Sequence, residues 1–98
     1  MKGVEEIKAY LEKKKPFLEK FGITEIGIFG SYVKGTETSN SVIDILISIR
    51  KPSRIGLLEL IEIENQLSNE LDTRVDLVVK SGLKPAIGSR ILREVQYI

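Results

Sequence analysis

Apolar residues at Val4, Ile7, Leu11, Leu18 and Phe21 recur at close to helical spacing, with charged residues between them. Pro16 interrupts the series. The pattern therefore predicts a helix ending near Lys15, a fresh turn opening at Pro16 and a stop at Gly22. Residues 25–29 are short and apolar and read as a buried strand ended by Gly30. Across residues 41–49 the period changes to two. Ile43, Ile45, Ile47 and Ile49 fall on one face of a strand, and Val42, Asp44, Leu46 and Ser48 on the other. Lys51, Pro52 and Ser53 predict a turn, with Ser53 able to cap the next helix. Leu57, Leu58, Ile61, Leu67 and Leu71 then lie roughly along one side of a helix running to about Leu71. Residues 74–79 form a third strand, with Val75, Leu77 and Val79 on one face and Asp76 on the other. After a turn at Ser81-Gly82, Pro85 opens a short final helix carrying Ile87, Ile91 and Leu92, and residues 95–98 form an edge segment.

The order helix, strand, turn, strand, helix, strand, helix gives an α/β (α+β) class. It predicts a mixed sheet of about three to four strands with helices packed on it, in one domain over residues 1–98. The strand-helix-strand part requires a crossover, whereas the first two strands are free to pair antiparallel.

Composition narrows the chemistry. Hydrophobic residues make up 42% and charged residues 30%, a globular rather than a disordered balance. Fifteen basic against fourteen acidic side chains leave a net charge of +1, so no broad field favours nucleic acid or an anionic membrane. The densest basic run, Lys13-Lys14-Lys15, reads as a solvated helix end. With no histidine and no cysteine there is no catalytic triad, no thiolate or imidazole metal site and no disulfide framework. Any metal must be held by oxygen, which favours magnesium, manganese or calcium. The first residues carry acids where a signal peptide would turn apolar, and no run approaches membrane-spanning length, so the cytoplasm is the expected location.

Two features carry chemistry. The first is Gly30-Ser31 with Lys34 behind it. A glycine at a strand end permits close backbone approach, the N–H groups of a helix start favour phosphate, the Ser31 hydroxyl can donate, and Lys34 adds charge. Taken alone, glycine-serine after a strand also suits an ordinary turn. The second is the pair Asp44 and Asp76, each at a polar position of an apolar strand. Each has a plain alternative: Asp44 as a solvent-facing strand-end acid, Asp76 as an ion-pair partner of Arg74. If their strands are neighbours, the two carboxylates can converge on one hard cation.

Gly30-Ser31, nine intervening residues, Ser41-Val42-Ile43-Asp44 and then Val75-Asp76-Leu77-Val78 resemble the minimal nucleotidyltransferases, a branch of the polymerase-β-type superfamily. The C-terminal segments Leu83-Lys84-Pro85 and Ile91-Leu92-Arg93-Glu94-Val95 are also typical of that family's prokaryotic members. The resemblance implies a nucleotidyltransferase fold and transfer of a nucleoside monophosphate from ATP or another NTP with two magnesium ions. It also implies an antitoxin role beside an all-helical HEPN partner, which such chains adenylylate. It places Gly30, Ser31 and Lys34 on the nucleotide phosphates, and makes Asp44 and Asp76 the metal-binding and catalytic carboxylates, Asp76 being the candidate base. Self-association stays open.

One position departs from the pattern. The family has Asp-x-Asp on the second strand, and here the first aspartate is Val42. Valine ligates nothing, and the loss of a metal ligand is expected to cost more than the roughly 10–100-fold typical of outer-shell changes. Glu37, on the preceding loop, is the acid considered as a stand-in, although loops seldom match strand precision. Three readings follow: a transferase impaired by Val42, a catalytically degenerate member acting as a protein-binding module, and a plain structural or oligomerisation module, against which the retained Gly30-Ser31, Asp44 and Asp76 argue.

Overall fold

The computed structural model describes residues 3–51 and 55–98. The helix α1 (Val4–Glu19) leads into β1 (Ile23–Phe29) and the four-residue helix α2 (Ser31–Lys34). The strand β2 (Ile43–Ile49) follows, then α3 (Leu57–Leu71), β3 (Val75–Val79), a 3-10 turn (Lys80–Gly82), α4 (Pro85–Glu94) and β4 (Gln96–Tyr97). The four strands form one mixed sheet in the order β3-β2-β1-β4. β2 pairs antiparallel with β1 and parallel with β3, while β4 pairs antiparallel with β1. The expected mixed sheet with helices packed on it is the observed fold. The predicted Ser53 cap and the Pro52 turn fall outside the described residues.

The alternation along β2 divides the sheet into two faces. Ile43, Ile45 and Ile47 point into the main core, where they meet Ile7, Leu11 and Leu18 of α1 and Ile63, Leu67 and Leu71 of α3. Leu46 points the other way and packs with Phe29 and Ile91, beneath α4. Gly27 lies on that second face. A Cβ there would run into Val95 and Tyr97, so the glycine lets the chain after α4 lie close against β1.

Pro16 sits inside α1, and the helix does not end at Lys15. Proline removes one N–H and disfavours the Glu12 carbonyl as a partner. Both residues are exposed, so water can serve that carbonyl, while buried Leu18 and the packed Phe17 hold the last turn on the core. The strand expected from Ser41 begins two residues later, because Ser41 closes a turn: its N–H donates to the Thr38 carbonyl (3.1 Å) and its Oγ accepts from Thr38 N–H (2.8 Å).

The helix faces differ most from expectation. On α3 the inward line is Leu60, Ile63, Leu67 and Leu71, and Leu57 and Leu58 are each 73% exposed. At about 100° per residue, Leu58 and Ile61 lie roughly 180° and 120° round the helix from Leu67. On α4 only Ile91 of the three expected residues is buried, and Ile87 and Leu92 are exposed. The inward positions around it belong to Gly88, closely packed on Leu83, and to the half-buried Glu94 and Val95.

β3 is an edge strand, yet part of its edge is covered. Val75 N–H donates to Ser68 Oγ (2.9 Å) and Leu77 N–H to Glu64 Oε2 (2.8 Å). Side chains of α3 thus take N–H groups that would otherwise invite another strand, and fix β3 against the helix.

Candidate functional site

The site grows from the junction of β1 and α2. Phe29 ends β1 and Gly30 turns the chain with φ +82°, a conformation suited to glycine. The same glycine is also required by its neighbour, since a Cβ on Gly30 would collide with the Asp44 carboxylate. The Gly30 carbonyl accepts N–H bonds from Val33 and Lys34, both at 3.1 Å, which winds Ser31–Lys34 into one helical turn. Buried Tyr32 nails that turn to the main core, and Gly35, at φ +75°, closes it. Ser31 is therefore held at the mouth of a rigid turn against the sheet.

Asp44 stands on the central strand β2, opposite Phe29 on one side and Asp76 on the other. The parallel register pairs Asp44 directly with Asp76, so both side chains leave the sheet on the α4 face at neighbouring positions. The pairing thus puts the two carboxylates at adjacent positions, which convergence on one cation would require. Arg74 Nε also lies 3.8 Å from Asp76 Oδ1, a loose and largely exposed pairing that leaves most of the Asp76 carboxylate free for other partners. Burial pushes the Asp44 carboxyl above its ordinary range, and the charges of Asp76 and Glu94 push it further.

Glu94 is the site residue that sequence reasoning did not single out. It follows Ile91 by three residues on the inward side of α4, which brings its charge to bear on Asp44. Glu37, the acid considered as a stand-in for the missing ligand, is not among the charges acting on Asp44. Glu94 also holds Lys34, with Nζ 3.2 Å from Oε2. Lys34 accordingly sits on the rim of the site with an acidic partner.

The charges of Asp76 and Glu94 both act on Asp44, an arrangement that favours a bound cation, and all donors present are oxygen. Among the described residues no three acidic side chains stand close enough to hold a metal ion between them. A pair of adjacent carboxylates still fits magnesium, which commonly takes one or two protein carboxylates and completes its shell with water and substrate phosphate. Val42 lies half-buried just ahead of β2 and offers no ligand.

The rest of the surface is occupied differently. Lys14 is spent on a staple between α1 and α3: its Nζ lies 3.0 Å from Glu70 Oε1, and Tyr10 Oη donates to the same carboxylate. Lys15 pairs loosely with Glu12 at 3.9 Å, so two of the three lysines of the run hold acidic partners. A hollow of 430 Å³ opens between the end of α1, Arg50 and Glu59, on a surface that includes none of Gly30, Asp44 and Asp76. No helix among the described residues is long and apolar enough to cross a membrane.

Comparison with known proteins adds to this geometry. The nucleotidyltransferase domain family matches residues 5–98. The protein adenylyltransferase MntA of Thermococcus cleftensis is 47% identical over all of this chain and 98% of its own. A Methanocaldococcus jannaschii chain, provisionally named a protein adenylyltransferase, is 44% identical over the full length of both. Among solved structures, one assigned as a minimal nucleotidyltransferase superposes with a TM-score of 0.81 at 26% identity, covering 97% of this chain and 95% of that one. A toxin–antitoxin structure with AMP-PNP superposes with a TM-score of 0.72 at 25% identity, covering 88% and 69%.

Proposed function

The chain belongs to the nucleotidyltransferase domain family, and on that premise we propose that it transfers AMP from ATP to a hydroxyl of a helical HEPN-type partner, as the antitoxin of a toxin–antitoxin pair. The observation that carries this reading is the in-register pair Asp44 and Asp76 beside Gly30, whose missing side chain leaves room for the carboxylate.

The roles follow from placement. Gly30 permits close approach of the triphosphate, the Ser31 hydroxyl donates to a phosphate oxygen, and Lys34 supplies the charge. Asp44 and Asp76 would hold magnesium, which when bound supplies charge neutralisation at the α-phosphate and the leaving pyrophosphate. Asp76 takes the proton as the acceptor oxygen bonds to the α-phosphorus and the bond to pyrophosphate breaks. The two carboxylates make this a slow enzyme, because the position of a third ligand is held by Val42.

A second reading rests on the same valine and on exposed Leu57, Leu58 and Ile61: a silent family member that acts by binding its partner. Labelled ATP, magnesium and the helical partner separate the two. The first reading expects slow labelling by the natural chain and faster labelling by Val42→Asp. No labelling by either form, with the complex intact, would establish the second.

A further inference from the structure

Lys34 ends α2 and Glu94 ends α4, and their ion pair, at 3.2 Å, joins the phosphate turn to the last helix. The partners are unequal. The Glu94 side chain is 19% exposed and follows buried Ile91 on the inward side of α4, while the Lys34 side chain is 52% exposed on a flexible four-carbon stem. The carboxylate is the anchored member and the ammonium the adaptable one. Lys34 N–H bonds to the Gly30 carbonyl, so the lysine stands one turn beyond Gly30-Ser31. A polyanion arriving at Ser31 therefore meets an ammonium that is already neutralised.

We propose that Glu94 is a positioning residue that acts through Lys34: it holds the lysine in the nucleotide-free chain, and an incoming triphosphate must take the lysine from it. This rests on the nucleotide-binding reading above. The exchange is feasible because a partly exposed ammonium–carboxylate pair is weak in water, and phosphate oxygens carry more charge to compete for it. It also carries a cost, since a released Glu94 is left as an uncompensated like charge facing Asp44. Without a divalent cation that repulsion stands, so Glu94 opposes metal-free polyphosphate more than metal-bound polyphosphate.

Calorimetric titration with inorganic tripolyphosphate, with and without magnesium, tests the exchange apart from any transfer. Glu94→Gln should bind the metal-free probe about two- to fivefold more tightly than the natural chain, the range of an exposed ion pair, and Glu94→Ala should repeat the gain. Lys34→Gln should weaken binding, and adding Glu94→Gln to it should restore little. A full gain from Glu94→Gln in the Lys34→Gln background would overturn the proposal, because Glu94 would then act as a general negative charge. So would the absence of any gain in the natural background. If no form binds tripolyphosphate while its melting curve is intact, the nucleotide-binding reading falls, and the proposal with it. Binding that ignores Glu94 removes the proposal alone.

Discussion

On the face of the sheet covered by α1 and α3, Ile43, Ile45 and Ile47 meet Leu11, Ile63, Leu67 and Leu71, and no described charged side chain is buried there. On the α4 face only Phe29, Leu46 and Ile91 form a buried cluster, and the same strands that supply Leu46 and Val78 present Asp44 and Asp76 two residues earlier. One strand pair thus stabilises the fold through its odd positions and carries the candidate chemistry through its even ones. The β-strand period of two is what allows both jobs at once. The consequence is a division of labour: changes on the first face should be felt as stability, and changes at Asp44, Asp76 and Gly30 as chemistry.

The largest effect should come from the first face. Leu67→Ala should destabilise the chain by about 2–5 kcal/mol, read by urea denaturation, because Leu67 is 1% exposed and its loss leaves a cavity. A smaller loss would mean that α3 packs loosely. Next, Gly30→Ala should abolish most nucleotide binding, since the new Cβ strains a left-handed turn and strikes Asp44. Calorimetry with a non-hydrolysable ATP analogue checks this, and unchanged affinity would separate the turn from the site. Val42→Asp should raise manganese affinity by more than the roughly 10–100-fold typical of changes around a metal's ligands. No gain by calorimetry would show that residue 42 is misplaced relative to Asp44. The smallest stability effect should be at Leu58→Ser, within about 0.5 kcal/mol, because that side chain faces solvent.

The pH dependence sharpens the same contrast. The Asp44 carboxyl is raised above its ordinary value of 3.8, chiefly by burial and then by Asp76 and Glu94. The folded state therefore binds the proton more tightly than the unfolded state. The stability this contributes is fully present below 3.8 and is lost as pH rises through the raised value. Asp44→Asn should flatten that part of the stability profile and raise the melting temperature at neutral pH. A variant that melts lower at neutral pH would mean that Asp44 stabilises the fold rather than straining it.

Much of this was legible in the chain. The period-two isoleucines fixed β2 and the side on which Asp44 emerges, and Asp76 at the matching position of a second apolar strand foretold the pair that the parallel register assembles. The helices were harder. α3 spreads its apolar residues over more than half of its circumference, so periodicity alone could not show that Leu60 and Ile63 face inward and Leu58 and Ile61 outward. α4 inverts the usual cue, placing Gly88 and Glu94 on the inward side and Leu92 outside. Glu94 was hidden for that reason, although its three-residue step from Ile91 was the available signal. Pro16 misled because its cost depends on exposure, which the sequence does not contain.

The direct test of the central claim is labelled AMP transfer to the helical partner by the natural chain and by Asp44→Asn, each checked by its melting curve. The account predicts slow labelling by the natural chain and, for a variant at least as stable, a loss of about a hundredfold or more, the scale of removing a metal ligand. Equal labelling by the two forms would contradict it.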